Sequence, residues 1–174
     1  MAFQIREMSE KDWPEAGQIY QQGIETGLAT LQPDCPSFAE WDQAHLKACR
    51  LIAAEEEKVV GWAALTPVSG RCVYAGVAEV SVYIAPDSWG KGIGKALLTE
   101  LIRRSEKEGF WTLQSSILRE NAASIRLHEH CGFRMVGYRE RIGRDRNGKW
   151  RDTMLMEKRS GRDMAAGNLP GAPT

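Results

Sequence analysis

The residues most able to do chemistry gather around one glycine-rich turn. Polar Glu79 and Ser81 alternate with apolar Val80 and Val82, then Tyr83 and Ile84 lead through Pro86-Asp87 into Trp89-Gly90-Lys91-Gly92-Ile93-Gly94-Lys95 and a helical pattern. A turn of this kind aims successive backbone N–H groups at one point, where the helix dipole also favours negative charge. Glycines let the backbone approach a ligand without side-chain obstruction. Three glycines in five positions exceed what a tight turn requires, and a pyrophosphate is the natural guest. Two familiar phosphate sites are excluded by spacing. No Gly-x-x-x-x-Gly-Lys-Ser/Thr run exists, and the dinucleotide pattern starting at Gly92 fails because Leu97 stands at its last position.

Two side chains could move protons. The Glu79 carboxylate could take a proton from an ammonium directly or through a water. Its ordinary role would be that of a solvated or salt-bridged strand residue. His128 falls in a helical pattern, where a neutral imidazole accepts a proton and an imidazolium returns one; a purely structural role is the alternative. Asn121 opens that pattern and suits a helix N-cap. Cys35, Cys49, Cys72 and Cys131 form no C-x-x-C pair, so neither a zinc site nor a disulfide framework is expected.

The elements that must position these groups follow from periodicity. Phe3, Ile5 and Met8 predict an opening strand, and Ser9 with Asp12 a capped helix over 10–22. Thr26 to Pro36 reads as loop, and Ser37 opens a second helix carrying Phe38, Trp41, His45 and Leu46. Strands are predicted at 51–53 and 59–65, joined by the polar turn Glu55–Lys58, and again at 77–85. A helix near 92–108, a strand at 111–118, a helix at 121–131 and strands at 133–138 and 150–157 complete the pattern. The order predicts an α/β fold with a mixed sheet, one domain over 1–160, and a disordered tail over 161–174.

The 174 residues carry 23 Lys plus Arg against 23 Asp plus Glu, which gives no charge-based reason to expect nucleic acid or an anionic membrane as partner. No apolar run approaches bilayer length and the N-terminus lacks the order of a secretion signal, so a cytoplasmic protein is expected. Arg139, Arg141, Arg144, Arg146 and Arg151 alternate with Glu140, Asp145 and Asp152, a pattern of an exposed hairpin or a dimer contact.

Taken together, these residues resemble the GNAT acetyltransferase superfamily over roughly 3–158. Its acetyl-CoA motif, Gln/Arg-x-x-Gly-x-Gly/Ala after a strand, is matched by Trp89-Gly90-Lys91-Gly92-Ile93-Gly94, with Trp89 departing at the first position. Its later asparagine-led helix is matched by Asn121 through His128, followed by Cys131-Gly132-Phe133. Within the superfamily the chain is similar to the phosphinothricin and methionine sulfoximine branch. Ser124-Ile125-Arg126-Leu127-His128, the strand Glu79–Ile84, Thr26–Thr30 with Trp41, and Gly143, Gly148, Trp150 and Asp152 carry that likeness. Some members of the family carry an Arg shortly before the catalytic Glu, where this chain reads Tyr74-Ala75-Gly76-Val77-Ala78, and Arg71 is close enough in sequence to substitute.

The resemblance implies a mixed, mostly antiparallel sheet, with acetyl-CoA in a cleft where two central strands splay. It implies Glu79 and His128 as catalytic groups. Val82, Tyr83, Ile84, Trp89 to Lys95, Asn121 and Ser124 would hold the cosubstrate, with an oxyanion met by a backbone N–H near Val82 or Tyr83. Thr30, Trp41, Arg71, Tyr74, Glu79 and Ser81 would line the substrate site. No metal is expected, and a homodimer is. The implied reaction is direct attack by the amine of a small molecule, such as phosphinothricin or methionine sulfoximine or sulfone, without a Cys131 acyl intermediate. A protein or peptide acceptor, or a non-catalytic acetyl-CoA sensor, are the rival readings.

Overall fold

The computed structural model describes residues 2–161. The predicted tail lies outside that range, apart from Gly161. Seven strands form one sheet in the order β1-β2-β3-β4-β5-β7-β6, where β1 is Gln4–Glu7, β2 Leu51–Glu55, β3 Lys58–Pro67, β4 Val77–Ile84, β5 Thr112–Leu118, β6 Arg134–Arg144 and β7 Trp150–Arg159. Every pairing is antiparallel except β4 with β5. The fold is therefore α/β with a mixed, mostly antiparallel sheet.

Four helices cover the two faces. Helix α1 (Trp13–Glu25) and α2 (Phe38–Ala44) pack Ala16, Ile19 and Trp41 on one face, against Ile52, Trp62 and Ala64. On the other, α3 (Ile93–Lys107) presses Ile93, Leu97, Leu98 and Leu101 onto Val60, Leu65, Ala78, Val80 and Met156. Residues 59–65 of β3 are buried throughout, as a strand covered on both sides must be. Helix α4 (Ala122–His130) adds Leu127 beside α3. Among the described residues no helix is long and apolar enough to cross a membrane.

Several boundaries differ from the periodic reading. The first helix begins at Trp13, because Glu10–Asp12 wind as a 3-10 turn with Asp12 accepting the Ser9 N–H at 2.8 Å. Helix α2 stops at Ala44, where His45 turns extended. Strand β6 runs to Arg144 rather than 138. It is an edge strand among the described residues, and past Tyr138 it reads Arg139-Glu140-Arg141-Ile142-Gly143-Arg144, a mostly charged run without apolar alternation.

One feature of the sheet positions everything else. Parallel pairing of β4 with β5 covers only Val77–Glu79 against Thr112–Gln114. Past that point β4 stays with β3 as far as Ile84, while β5 stays with β7 as far as Leu118. Each strand keeps its outer neighbour, and the middle of the sheet opens like a V. The base of the V is pinned at Gly76, whose carbonyl accepts the N–H groups of Trp111 and Thr112 at 2.9 and 3.1 Å. Glycine is required there, since a Cβ would stand 2.0 Å from the Trp111 ring.

Candidate active site

The V is the mouth of a cleft of about 310 Å³. Antiparallel alternation decides which backbone groups face it. Ala85 donates its N–H to Val60 of β3, so the odd positions of β4 turn their polar groups to β3 and the even positions turn theirs to β5. Beyond Glu79 those even positions have no strand to meet. Val82 therefore presents a free N–H and carbonyl to the cleft. Of the two backbone donors considered from sequence, Tyr83 is the one that points away. Its ring is stacked 4.8 Å from Trp62 and 4.9 Å from Tyr20, and burial pushes its phenol far above the usual range. Ile84 carries the even pattern onward, but its carbonyl is already taken by the Trp89 indole N–H at 3.0 Å. Indole has one donor, so Trp89 has none left for a ligand.

The glycine turn begins α3. Gly90 and Gly92 sit at φ +78° and +81°, a left-handed conformation that side chains resist, with open space in front of both. Gly92 is the N-cap, and its carbonyl accepts the Ala96 N–H at 3.1 Å. The N–H groups of Ile93, Gly94 and Lys95 thus emerge at the positive end of a 15-residue helix. These residues fit a pyrophosphate. Gly94 has a different duty: a Cβ there would lie 3.3 Å from Leu127, so this glycine lets α3 approach α4. The Ile93 side chain is core, and Lys91 pairs with Glu55 at 3.3 Å across to the β2–β3 hairpin.

Glu79 lines the cleft where pairing ends. Gln114 Nε2 and Ser116 Oγ of β5 donate to its Oε1 at 3.1 and 2.9 Å, and its Oε2 accepts nothing from the described residues. Ser81, two positions along the same face, lines the cleft as well.

His128 comes from α4 and is 4% exposed. Its Nδ1 lies 2.7 Å from the Ser124 carbonyl, which can only accept, so the neutral ring carries its proton there. His128 is one of the residues lining the cleft, and its Nε2 is buried with no partner among the described residues. Burial lowers the imidazole pKa below its ordinary value, partly offset by the Ser124 bond. The ring also meets Phe133 edge-on at 5.0 Å. A neutral imidazole with a free Nε2 lone pair is poised to accept a proton.

Asn121 caps α4, its Oδ1 accepting the Ser124 N–H at 3.2 Å, while its Nδ2 donates to the Leu28 carbonyl at 3.0 Å. That second bond ties the α1–α2 loop over the cleft, with help from Arg151, which donates to the Gly27 carbonyl at 3.0 Å. Ala29, Thr30 and Leu31 of this loop form one wall. Thr30 Oγ1 accepts the Gln32 N–H at 3.0 Å.

Three expected substrate residues are not brought here. Trp41 is core, 1% exposed, stacked 4.2 Å from His45 and beneath the Arg50 guanidinium. Arg71 and Tyr74 sit on the exposed β3–β4 loop, with the guanidinium 5.8 Å over the phenol ring. That loop precedes Val77, whereas the cleft opens from Glu79 toward the other end of β4. Conversely, Ser115, Ser116, Arg139, Ile142 and Thr153 line the cleft and were not singled out for it. Ser116 had a signal in the polar positions interrupting β5; Arg139 was hidden in a charged cluster.

Comparison with known proteins agrees with this geometry. Residues 4–133 match the Acetyltransferase (GNAT) family. A phosphinothricin N-acetyltransferase of Alcaligenes faecalis is 33% identical, over 90% of this chain and 82% of that protein. Two solved structures superpose closely. A phosphinothricin acetyltransferase of Sinorhizobium meliloti in complex with acetyl-CoA gives a TM-score of 0.87 at 30% identity, covering 98% of this chain and 95% of that one. A ribosomal-protein-alanine N-acetyltransferase of Brucella melitensis gives 0.82 at 31%, covering 90% and 99%. With a strand-splay cleft, a glycine turn heading α3 and these relatives, the chain belongs to the GNAT family of acetyltransferases.

Proposed function

We propose that this protein transfers the acetyl group of acetyl-CoA to the primary amine of a small molecule, an amino-acid analogue of the phosphinothricin or methionine sulfone kind, by direct attack in a ternary complex. The observation that carries this reading is the convergence of Glu79, the free Nε2 of His128 and the unpaired Val82 N–H on one cleft of about 310 Å³. Such a volume suits a small ligand.

Acetyl-CoA supplies the activated acetyl thioester. Ile93, Gly94 and Lys95 offer backbone N–H groups to its pyrophosphate, and the open edge of β4 offers main-chain partners to its amide arm. Glu79 attracts the incoming ammonium and removes a proton from it, because only the neutral amine attacks. The Val82 N–H stands where negative charge develops on the acetyl oxygen. His128 Nε2 accepts a proton, or returns one to the departing thiolate.

The likeness to a ribosomal-protein acetyltransferase favours a second reading, a peptide acceptor. The wall made by Ala29, Thr30 and Leu31 on one side of a cleft of about 310 Å³ supports the small acceptor instead. A homodimer fits the exposed apolar side chains Met135, Val136, Tyr138, Ile142 and Trp150 of the β6–β7 hairpin, and a cytoplasmic location fits the four free cysteines.

Thiol release from acetyl-CoA with a panel of amines tests the reading. Fast release with phosphinothricin, methionine sulfoximine or methionine sulfone is expected. Release with short peptides alone moves the protein to the second reading, and silence with every amine rejects both.

A further inference from the structure

We propose that Arg139 is the residue that grips the acceptor's carboxylate, making the cleft selective for free α-amino acids over other amines. This rests on the acetyltransferase reading above and adds a specificity determinant to it. Arg71 lies on the loop ahead of β4, stacked over Tyr74, and does not line the cleft.

Cross-strand register puts Arg139 on the same sheet face as Glu79. Glu79 pairs with Gln114, and Ser116 reaches the Glu79 carboxylate from that face. Two residues on, Leu118 pairs with Thr153 of β7, and Thr153 pairs with Arg139 of β6. Arg139 lines the cleft and is the one Arg or Lys that does. Among the described residues its side chain makes no hydrogen bond or ion pair, whereas those of its neighbours Arg119, Arg141 and Arg151 are all paired. Its guanidinium is a cation with no assigned partner, opposite a carboxylate.

A local irregularity shapes this part of the strand. Between the pairs Arg139–Thr153 and Gly143–Arg151, β6 uses four steps where β7 uses two. The surplus bulges out, with Arg141 at φ +47° and its N–H fixed to Asp152 Oδ1 at 2.8 Å. Plain alternation would send Arg139 and Ile142 to opposite faces; the bulge brings both to the cleft. A left-handed arginine costs free energy, and it is held here by a dedicated acceptor. The result is a pocket with a cation at the rim and a carboxylate at the centre, the charge pattern of an amino-acid zwitterion. A guanidinium also matches a carboxylate bidentately.

The test compares L-methionine sulfone with its carboxamide, which keeps the amine and side chain and loses only the negative charge. Thiol-release kinetics would be measured for the wild type, Arg139→Ala and Arg139→Lys. Wild type should prefer the acid. Arg139→Ala should lower kcat/KM for the acid roughly 10- to 100-fold, mainly through KM, as expected for a lost charge-assisted contact. The amide and the acetyl-CoA KM should move less than about threefold, and Arg139→Lys should recover part of the loss. Equal losses for acid and amide, or an unaffected acid, would overturn the clamp while leaving the acetyltransferase reading intact. Should no amine release thiol, that reading fails instead, and calorimetric titration of L-methionine sulfone decides the clamp. Binding lost only in Arg139→Ala supports it; equal binding, or none to either protein, overturns it.

Discussion

Asn121 offers a prediction in which stability and substrate affinity should separate. Its two amide ends do two jobs: Oδ1 caps α4 through the Ser124 N–H, and Nδ2 holds the Leu28 carbonyl. Asn121→Ala removes both. Asn121→Ser keeps a capping oxygen, since serine and asparagine cap about equally well, and lacks the donor that reaches Leu28. The cap contributes about 1 kcal/mol. The tether is solvent-exposed, so it belongs at the low end of hydrogen-bond contributions, about 0.5 kcal/mol. The alanine variant should therefore lose about 1.5 kcal/mol and the serine variant about 0.5, or roughly 3–6 °C and 1–2 °C in Tm for a domain of this size. Both release the Leu28–Leu31 wall equally. The same 0.5 kcal/mol, read as affinity, raises the amine KM about twofold to threefold in each. The loop stays partly docked because Arg151 still holds Gly27 and Leu31 still abuts Gly143. Urea melts and thiol-release kinetics on the two variants decide it. A serine variant as unstable as alanine, or a KM that rises only with alanine, would refute the division of labour.

Glu79→Gln should lower kcat by about 10²- to 10⁴-fold with acetyl-CoA affinity unchanged; unaltered turnover removes Glu79 from the mechanism. Gly92→Val places a β-branched residue at φ +81° where α3 begins, so the acetyl-CoA dissociation constant should rise at least about tenfold by calorimetry. Normal cosubstrate affinity would sink the pyrophosphate cradle. Burial lowers the pKa of His128 and of His45, so the unfolded chain takes up protons first as pH falls below about 6.5. Stability held above that pH should decline below it, and His128→Gln should decline less between pH 7 and 5 in urea melts; an equal or steeper decline contradicts the buried neutral ring.

What could be read from sequence was whatever is local in the chain. The glycine turn, the Glu79 strand and the Asn121 cap each lie within a few residues, and the structure builds each where the pattern puts it. Long-range register was not readable. Nothing in the sequence says that Ser116 meets Glu79 from 37 residues away, or that a bulge turns Arg139 inward. Position along an element mattered as well. Arg71 and Tyr74 are near Glu79 in sequence, but a strand extends about 3.3 Å per residue, and they sit beyond the closed end of the V. Trp41 was misplaced for a different reason: a tryptophan at helical spacing fits core and pocket equally, and its stack on His45 and edge-on contact with Trp62 decide for core.

Trp89 shows how one departure from a family pattern redistributes work. Splaying two central strands strands main-chain groups on the edge of β4, and an unpaired carbonyl at the tip is a liability. In this chain the indole N–H of Trp89 covers the Ile84 carbonyl and pins the strand end to the turn. The position that could have supplied a polar side-chain contact to a bound ligand is thereby spent on the protein itself. Binding of a pyrophosphate must then rest on the N–H groups of Ile93, Gly94 and Lys95, which depend on Gly90 and Gly92 holding left-handed angles and not on side-chain identity. Affinity should accordingly be sensitive to backbone changes at those glycines. It should be tolerant of Trp89→Gln, whose amide could serve either the strand or the ligand.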